Sequence, residues 1–205
     1  MIYILMNDTD FAVELSPLEA ALQSLEIDYR AYRTFEEGFP DDLSECTGII
    51  VSGGLSMRGY FDGLARLEGA HLLMRFDRPI LGICLGMQIL ARLEGVSLVL
   101  SRELGISRVY LDKSCELFEG MPSEIDVYQR HNYGLPYIPS SYSLIARGDS
   151  TFIQGVAKPG RFIFGLQFHP EELGSGSSPD NVKILSNFAK ICSQLDFERN
   201  FGREK

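Results

Sequence analysis

Apolar residues in the first half of the chain form short continuous runs that alternate with stretches of helical spacing. Three such runs predict buried strands: YILM at 3–6, GIIV at 48–51 and PILGI at 79–83. Two stretches carry leucines at helical spacing, residues 17–25 and 61–76. Ser16, Pro17 and Glu19 form a typical helix start with a capping box. With IDYRAYR as a further strand, the predicted order is β-α-β-β-α-β-α.

Continuous apolar strands separated by helices are typical of a parallel sheet that is covered on both faces. The second half has a different texture, because short strand-like segments follow one another with turn residues between them and few helical stretches. These segments are SLVL (97–100), SRVYLD (107–112), EIDVYQ (124–129), SLIARG (143–148), TFIQGVA (151–157) and RFIFGLQF (161–168). We therefore expect a doubly wound α/β fold with a mixed, mainly parallel sheet, helices on both faces and extra antiparallel strands.

The remaining pattern predicts one domain over residues 1–205, with a last helix at 181–192 and a polar tail, residues 193–205, that frays. The chain is 45% apolar, which is enough to bury a substantial core. The formal charge of -9 and the lack of a basic block argue against nucleic acid as a partner. No apolar run is long enough to span a membrane, and we expect a cytoplasmic protein without a signal peptide.

The four cysteines are scattered, with no CxxC motif and no cysteine–histidine pair. This spacing favours neither a metal site nor a disulfide framework, and we expect reduced thiols. Cys84 has a distinctive setting in PILGICLGMQIL, where an apolar strand turns into an amphipathic helix. Gly82 and Gly86 suit a sharp strand-to-helix turn, and the start of the helix favours a thiolate. We interpret Cys84 as a nucleophile on an elbow, although an isolated buried cysteine is usually only structural.

A thiolate nucleophile needs a partner for proton transfer, and the chain has only three histidines. His169 ends an apolar strand in GLQFHPE, and Glu171 follows two residues later. Side chains at i and i+2 of an extended segment point the same way, so Glu171 can orient His169 towards a nucleophile. A structural role would be the safer interpretation of His169 alone, but with the elbow the pattern predicts a triad of Cys84, His169 and Glu171.

The tetrahedral intermediate of acyl transfer needs two backbone N–H donors. Leu85, which follows the nucleophile at the start of the helix, is one candidate. The second lies in VSGG at 51–54, a strand that ends on a glycine pair. A glycine turn alone is weak evidence, and no GKS or GKT follows that would make it a phosphate-binding loop.

These three elements, in this order, resemble the class I glutamine amidotransferase family over most of the chain. GICLGMQ at 82–88 resembles its nucleophile motif, FHPE at 168–171 its histidine–glutamate motif, and VSGG its oxyanion strand. The resemblance implies that Cys84 attacks the amide of L-glutamine, that His169 transfers protons and that Glu171 positions His169. It further implies an oxyanion hole at Gly54 and Leu85.

By the same resemblance, Gly53, Gln88 and His131 bind glutamine, and the ammonia passes to a separate, ATP-dependent synthase or ligase. No cofactor is implied for this chain. Length and layout are most similar to the free-standing amidotransferase subunits of two-subunit GMP synthetases. The sequence departs from that group at three positions: Arg130 replaces a serine, Tyr133 an aspartate and Leu55 a proline. His131 is interpreted either as a surface residue in a turn or as a residue that contacts substrate or partner.

Two alternatives stay open. A free-standing γ-glutamyl hydrolase uses the same fold and triad but needs no partner chain. A regulatory module keeps the fold without turnover, and loss of a triad residue would have favoured it. Cysteine-elbow chaperones and peptidase-like proteins of similar architecture normally lack the late histidine–glutamate motif.

Overall fold

The fold is known from a computed structural model, which describes residues 1–7, 15–34, 36–54, 67–172, 174 and 176–201. Within these residues, the strands form one sheet in the order β2-β1-β3-β4-β9-β8-β7-β5-β6. Their bounds are β1 Ile2–Met6, β2 Tyr29–Arg33, β3 Gly48–Val51, β4 Ile80–Ile83, β5 Val99–Leu111, β6 Glu124–Gly134, β7 Ser143–Gly148, β8 Ile153–Lys158 and β9 Ile163–Leu166. Strands β2, β1, β3, β4 and β9 are parallel, and the others pair antiparallel.

The helices are α1 Pro17–Ser24, α2 Leu67–Arg75, α3 Leu85–Leu93 and α4 Lys183–Phe201, with short 3-10 turns at Glu116–Phe118 and Pro179–Val182. The predicted capping box of α1 is confirmed: Glu19 N–H donates to Ser16 Oγ, and Ser16 N–H donates to Glu19 Oε2. The predicted start of α2 at residue 61 lies outside the described residues. None of the described helices has the length and apolar character needed to cross a membrane.

Each face of the sheet carries its own apolar core, as β1 illustrates. Ile2, Ile4 and Met6 pack in one cluster with residues of α1 and α4, while Tyr3 and Leu5 pack in another with residues of α2 and α3. Alternate side chains of a strand point to opposite faces, so helices must cover both. The expected doubly wound, mixed and mainly parallel α/β fold is thereby confirmed.

Strand β5 corrects the prediction of two separate strands at 97–100 and 107–112. It is continuous over 13 residues, Val99–Leu111, because it pairs with β6 along almost its whole length. A register shift between Leu100 and Glu103, together with a positive φ at Gly105, absorbs the irregular part. The polar residues between the two predicted strands hid this continuity.

The end of the chain corrects the prediction of a frayed tail from residue 193. Helix α4 continues to Phe201, nine residues beyond the predicted end at 192. Arg199 forms an ion pair with Asp77, which follows α2, and thereby ties the last turn to the body of the protein. Residues 202–205 lie outside the described residues, so the extent of the domain over 1–205 stays a prediction.

Strand β6 returns to the carboxyl ends of the parallel strands. His169, just after β9, donates its N–H to the carbonyl of Tyr128 in β6 at 3.0 Å, forming an isolated antiparallel bridge. The thiol of Cys84 at the end of β4 lies 3.8 Å from the carbonyl oxygen of Arg130, also in β6. The antiparallel extension thus places one of its strands beside the edge where open α/β sheets bind ligands.

Candidate active site

Cys84 lies between β4 and α3, on the sharp turn that the glycine spacing predicts. Its backbone has φ 50° and ψ -103°, in the left-handed range of φ that residues other than glycine rarely adopt. The turn is tightly packed, since a Cβ at Gly86 would come within 2.0 Å of the Val51 carbonyl oxygen. The Cys84 N–H donates to the Leu166 carbonyl of β9 at 2.6 Å. Parallel neighbours therefore hold the thiol at the carboxyl edge of the sheet.

His169 and Glu171 form the pair that their spacing predicts. His169 Nδ1 lies 2.8 Å from Glu171 Oε1, and both side chains are more than nine-tenths buried. The other ring nitrogen, Nε2, is buried and has no hydrogen-bond partner among the described residues. Gly53 leaves room for the ring, because a Cβ there would lie 2.9 Å from His169 Cε1 and 3.6 Å from Cys84 Cβ. The imidazole is thus fixed by its main chain and by Nδ1, while Nε2 is available to the thiol and substrate.

The charges around His169 favour its protonated form. Burial alone would lower its pKa, but Glu171 and Cys84 outweigh this and raise the pKa of His169 well above its usual value. The imidazolium is the form that can later donate a proton to a leaving group. Geometry and electrostatics therefore agree on an acid–base role for His169 and an orienting role for Glu171.

Gly54 and Leu85 line the same cavity as Cys84, where the resemblance places the oxyanion hole. The glycine turn after β3 is pinned to the end of β1, since Asn7 Nδ2 donates to the Ser52 carbonyl and Asn7 N–H to Ser52 Oγ, both at 2.9 Å. Leu85 is the first residue of α3, where backbone N–H groups have no partner within the helix. The structure therefore brings both predicted donors beside the thiol.

The cavity has a volume of about 230 Å³. Pockets for drug-sized ligands are larger, about 300–1,000 Å³, so this one suits a substrate of about one amino acid. One side consists of Gly54, Cys84, Leu85 and Gln88, and the other of residues 102–104 of β5 and 130–133 of β6. Gln88, predicted to bind glutamine, is buried in this wall, and its Nε2 donates to the Tyr133 carbonyl at 2.8 Å.

Gln167 is a site residue that the sequence reasoning missed. It is fully buried, and its Nε2 lies 3.8 Å from Cys84 Sγ in donor geometry. Its Oε1 accepts from Gln88 Nε2 at 3.2 Å, which links the thiol to the wall of the cavity. The signal was available, because Gln167 and His169 are at i and i+2 of the same extended segment and share a face.

His131 is buried within β6, with 7% of its surface exposed, so its interpretation as a surface residue in a turn is wrong. Its Nε2 lies 3.7 Å from Glu103 Oε2 of β5, and both residues line the cavity. Glu103 is a second residue that the sequence did not reveal, since β5 was not predicted to reach it. Arg130 and Tyr133, two of the departures from the family pattern, also line the cavity. Leu55, the third, lies outside the described residues.

The other three cysteines contrast with Cys84. Cys46, Cys115 and Cys192 are buried away from the cavity, and burial raises the pKa of all three thiols, to about 11 for Cys46 and Cys115. Thiols of this kind are inert at neutral pH. Within the described ranges, no group of three or more histidine, cysteine or acidic side chains could hold a metal ion. His71 is exposed on α2 and takes no part in the site.

Fold and site together define a cysteine-nucleophile enzyme of acyl transfer: a thiol on an elbow, an oriented imidazole and backbone donors at one edge of an α/β sheet. A family model described as "Glutamine amidotransferase class-I" matches residues 11–192. The chain belongs to the class I glutamine amidotransferase family, as its motifs indicate.

Among curated relatives, the glutamine-hydrolysing subunit of the GMP synthase from Methanococcus maripaludis strain C5 is 34% identical over 167 residues, 80% of this chain and 82% of the relative. The protein of the same name from strain C6 is 30% identical over 203 residues, 97% of this chain and 100% of the relative. A crystal structure from Thermoplasma acidophilum, provisionally assigned to the same kind of GMP synthase subunit, superposes with a TM-score of 0.81 at 27% identity, covering 97% of this chain and 96% of that one.

Proposed function

We propose that this chain hydrolyses L-glutamine through a cysteinyl thioester and supplies the ammonia to a separate GMP synthetase chain. The observation that carries the proposal is the placement of Cys84 beside the buried His169–Glu171 pair, at a cavity of about 230 Å³. Cys84, His169 and Glu171 serve as nucleophile, acid–base and orienting residue.

In the first half of the reaction, the Cys84 thiolate adds to the carboxamide carbon of glutamine, and the oxyanion binds the N–H groups of Gly54 and Leu85. Protonated His169 donates its proton to the leaving nitrogen, the C–N bond breaks, and ammonia leaves a γ-glutamyl thioester. In the second half, His169 removes a proton from water, which attacks the thioester. The C–S bond then breaks, and glutamate is released with the thiolate restored. No step needs a cofactor.

The partner and acceptor are supported by the relatives. Both cited Methanococcus proteins are named as one subunit of a GMP synthase, which implies a second subunit for the synthetase reaction. The sequence here has no phosphate-binding GKS or GKT motif after its glycine turn. We therefore assign the ATP-dependent activation of the acceptor to that second chain.

The first test compares the rate of glutamate release from L-glutamine in wild type, Cys84→Ala and Cys84→Ser. Both variants should lose at least about 10³-fold in kcat, because no other group can form the thioester, while the far-UV spectrum stays unchanged. Cys115→Ala, which removes a buried thiol away from the cavity, is the matched control and should retain activity.

Adding the synthetase subunit of a GMP synthase separates the proposal from its alternatives. Slow hydrolysis that accelerates with this second chain supports the ammonia-supplying role. Fast hydrolysis of γ-glutamyl conjugates that no partner changes would instead establish a free-standing γ-glutamyl hydrolase. Retained glutamine hydrolysis in Cys84→Ala would refute the assigned nucleophile, and an inactive wild type in every condition would leave a regulatory module.

A further inference from the structure

The two sides of the cavity differ in charge. The side that carries Cys84 is formed by Gly54, Leu85 and Gln88, none of which is charged. The facing side, from β5 and β6, contributes Glu103 and His131 together with the guanidinium groups of Arg102 and Arg130. A substrate held in this cavity therefore meets an uncharged surface at the thiol and both signs of charge across from it.

Glu103 and His131 are a built and buried pair. Their side chains are only 11% and 1% exposed, and Glu103 Oε2 lies 3.7 Å from His131 Nε2. This distance is within ion-pair range but too long for a hydrogen bond, and neither ring nitrogen of His131 has a hydrogen-bond partner among the described residues. Buried polar groups are normally paired, so an imidazole in a cavity wall with both nitrogens unpaired points to a ligand as its partner.

A polar network behind the wall fixes the Glu103 carboxylate. Gln154 Nε2 donates to Glu103 Oε2 at 3.1 Å, and Gln129 Nε2 donates to Gln154 Oε1 at 2.9 Å. Both glutamines are fully buried. Burial alone would raise the pKa of Glu103, but hydrogen bonds, first that of His131, outweigh it and lower the pKa. Glu103 is thus a rigid, ionised carboxylate beside the cavity.

Arg130 supplies the opposite charge. Its side chain is exposed at the cavity, while its main chain is held in β6 between His131 and Gln129. Its guanidinium has no hydrogen-bond or ion-pair partner in the part of the chain that the structure describes. A free guanidinium matches a carboxylate, which it can bind through two parallel hydrogen bonds.

We propose that Glu103, His131 and Arg130 form a subsite that binds the two charged groups of free glutamine: Glu103 and His131 take the α-ammonium group, and Arg130 takes the α-carboxylate. With its proton on Nε2, towards Glu103, His131 presents an acceptor lone pair at Nδ1. This subsite rests on the proposed function, and it restricts the substrate class to free α-amino acids that carry a γ-carboxamide.

The test uses glutamine and two analogues that each lack one charged group. 4-Carbamoylbutanoate keeps the carboxylate but has no ammonium group, and 4-aminobutanamide keeps the amine but has no carboxylate. Glu103→Gln should raise the KM for glutamine about tenfold to a hundredfold with little change in kcat, because a charge-assisted contact is lost. The same variant should leave the KM for 4-carbamoylbutanoate unchanged, since that molecule has no group for Glu103.

Arg130→Met should give the reciprocal pattern. The KM should rise about tenfold for glutamine and for 4-carbamoylbutanoate, but not for 4-aminobutanamide. Glu94→Gln and Arg75→Met remove matched charges outside the cavity and should change no KM. If Glu103→Gln or Arg130→Met raises the KM of all three compounds alike, or of none, the subsite assignment is wrong, because a purely structural role would not distinguish the analogues.

Binding to Cys84→Ala separates this inference from the proposed function. Calorimetry on this variant should show glutamine binding more tightly than either analogue, and Glu103→Gln should abolish the preference over 4-carbamoylbutanoate. If binding follows this pattern but wild type does not hydrolyse glutamine, the subsite stands and the proposed function fails. If hydrolysis occurs without the analogue pattern, the function stands and the subsite fails.

Discussion

Two histidine–carboxylate pairs lie near the same thiol, and they are built differently. His169 and Glu171 are two residues apart in one extended segment and approach to 2.8 Å. His131 and Glu103 lie opposite each other on neighbouring antiparallel strands and stay 3.7 Å apart. The first pair is a closed hydrogen bond that fixes a ring, whereas the second leaves both ring nitrogens unpaired among the described residues.

This difference matches two different tasks. A catalytic base must keep one orientation through both proton transfers, which a short bond from a carboxylate to Nδ1 provides. A binding residue must instead leave hydrogen-bonding capacity for its ligand. The contrast indicates that the same two residue types serve chemistry in one place and recognition in the other, according to whether the carboxylate saturates the histidine.

The largest expected effect comes from replacing each histidine in turn. His169→Asn should lower kcat about 10²–10⁴-fold, the usual contribution of a general acid–base group. His131→Asn should mainly raise the KM for glutamine and change kcat little. His71→Asn, at an exposed position of α2, is the matched control. Steady-state kinetics with glutamine decide the matter, and a similar loss of kcat in the His169 and His131 variants would erase the distinction between the pairs.

A smaller effect is expected for Glu171→Gln, which should slow hydrolysis about tenfold to a hundredfold without eliminating it, because its role is orientation. The variant should also lower the pKa of His169, which Glu171 helps to raise. The alkaline limb of the pH dependence of kcat/KM should therefore move to lower pH. Glu172→Gln is the neighbouring control, and an unshifted limb in Glu171→Gln would show that Glu171 does not set the protonation of His169.

The same shift has a consequence for folding. A raised pKa means that protonated His169 stabilises the fold fully below its unfolded pKa, about 6.5, and that this contribution is lost as the pH rises through the folded pKa. Glu171→Gln should therefore reduce the free energy of unfolding more at pH 6 than at high pH, in urea titrations of both proteins.

The smallest effect is expected for Glu94→Gln, whose carboxylate pairs with Lys158 at 2.6 Å on the partly exposed surface. Such pairs contribute at most about 1 kcal/mol, so the free energy of unfolding should change within that limit. Kinetic constants for glutamine should stay the same. A change in KM here would mean that carboxylates outside the cavity also influence binding, which would weaken the contrast drawn between the two pairs.

The parallel half of the fold could be predicted because its signals are local. Apolar runs such as GIIV and the capping box at Ser16 depend on nearby residues, and both predictions are confirmed. Strand β5 was mispredicted because its partner, β6, begins 13 residues after β5 ends, and pairing overrode the local polar character of 101–106. The tail was mispredicted for a similar reason, since Arg199 gains its partner Asp77 only in the folded protein.

The candidate site divides in the same way. The structure brings Cys84, His169 and Glu171 together as their motifs predict, because each motif carries its own geometry: an elbow, and an i, i+2 pair. Glu103 was missed because its partner is 28 positions away and only the pairing of β5 with β6 joins them. Short-range chemistry could be read from the sequence, while cross-strand chemistry needed the register.

The backbone of Cys84 has an energetic consequence. With φ at 50° in a residue other than glycine, this position stores strain of about 1–3 kcal/mol. A domain of this kind has a total stability of only about 5–15 kcal/mol. A sequence optimised for folding alone would place glycine at position 84, which would relieve the strain and remove the thiol. The enzyme thus keeps its nucleophile at the expense of thermodynamic stability, and the surrounding parallel strands must supply the difference.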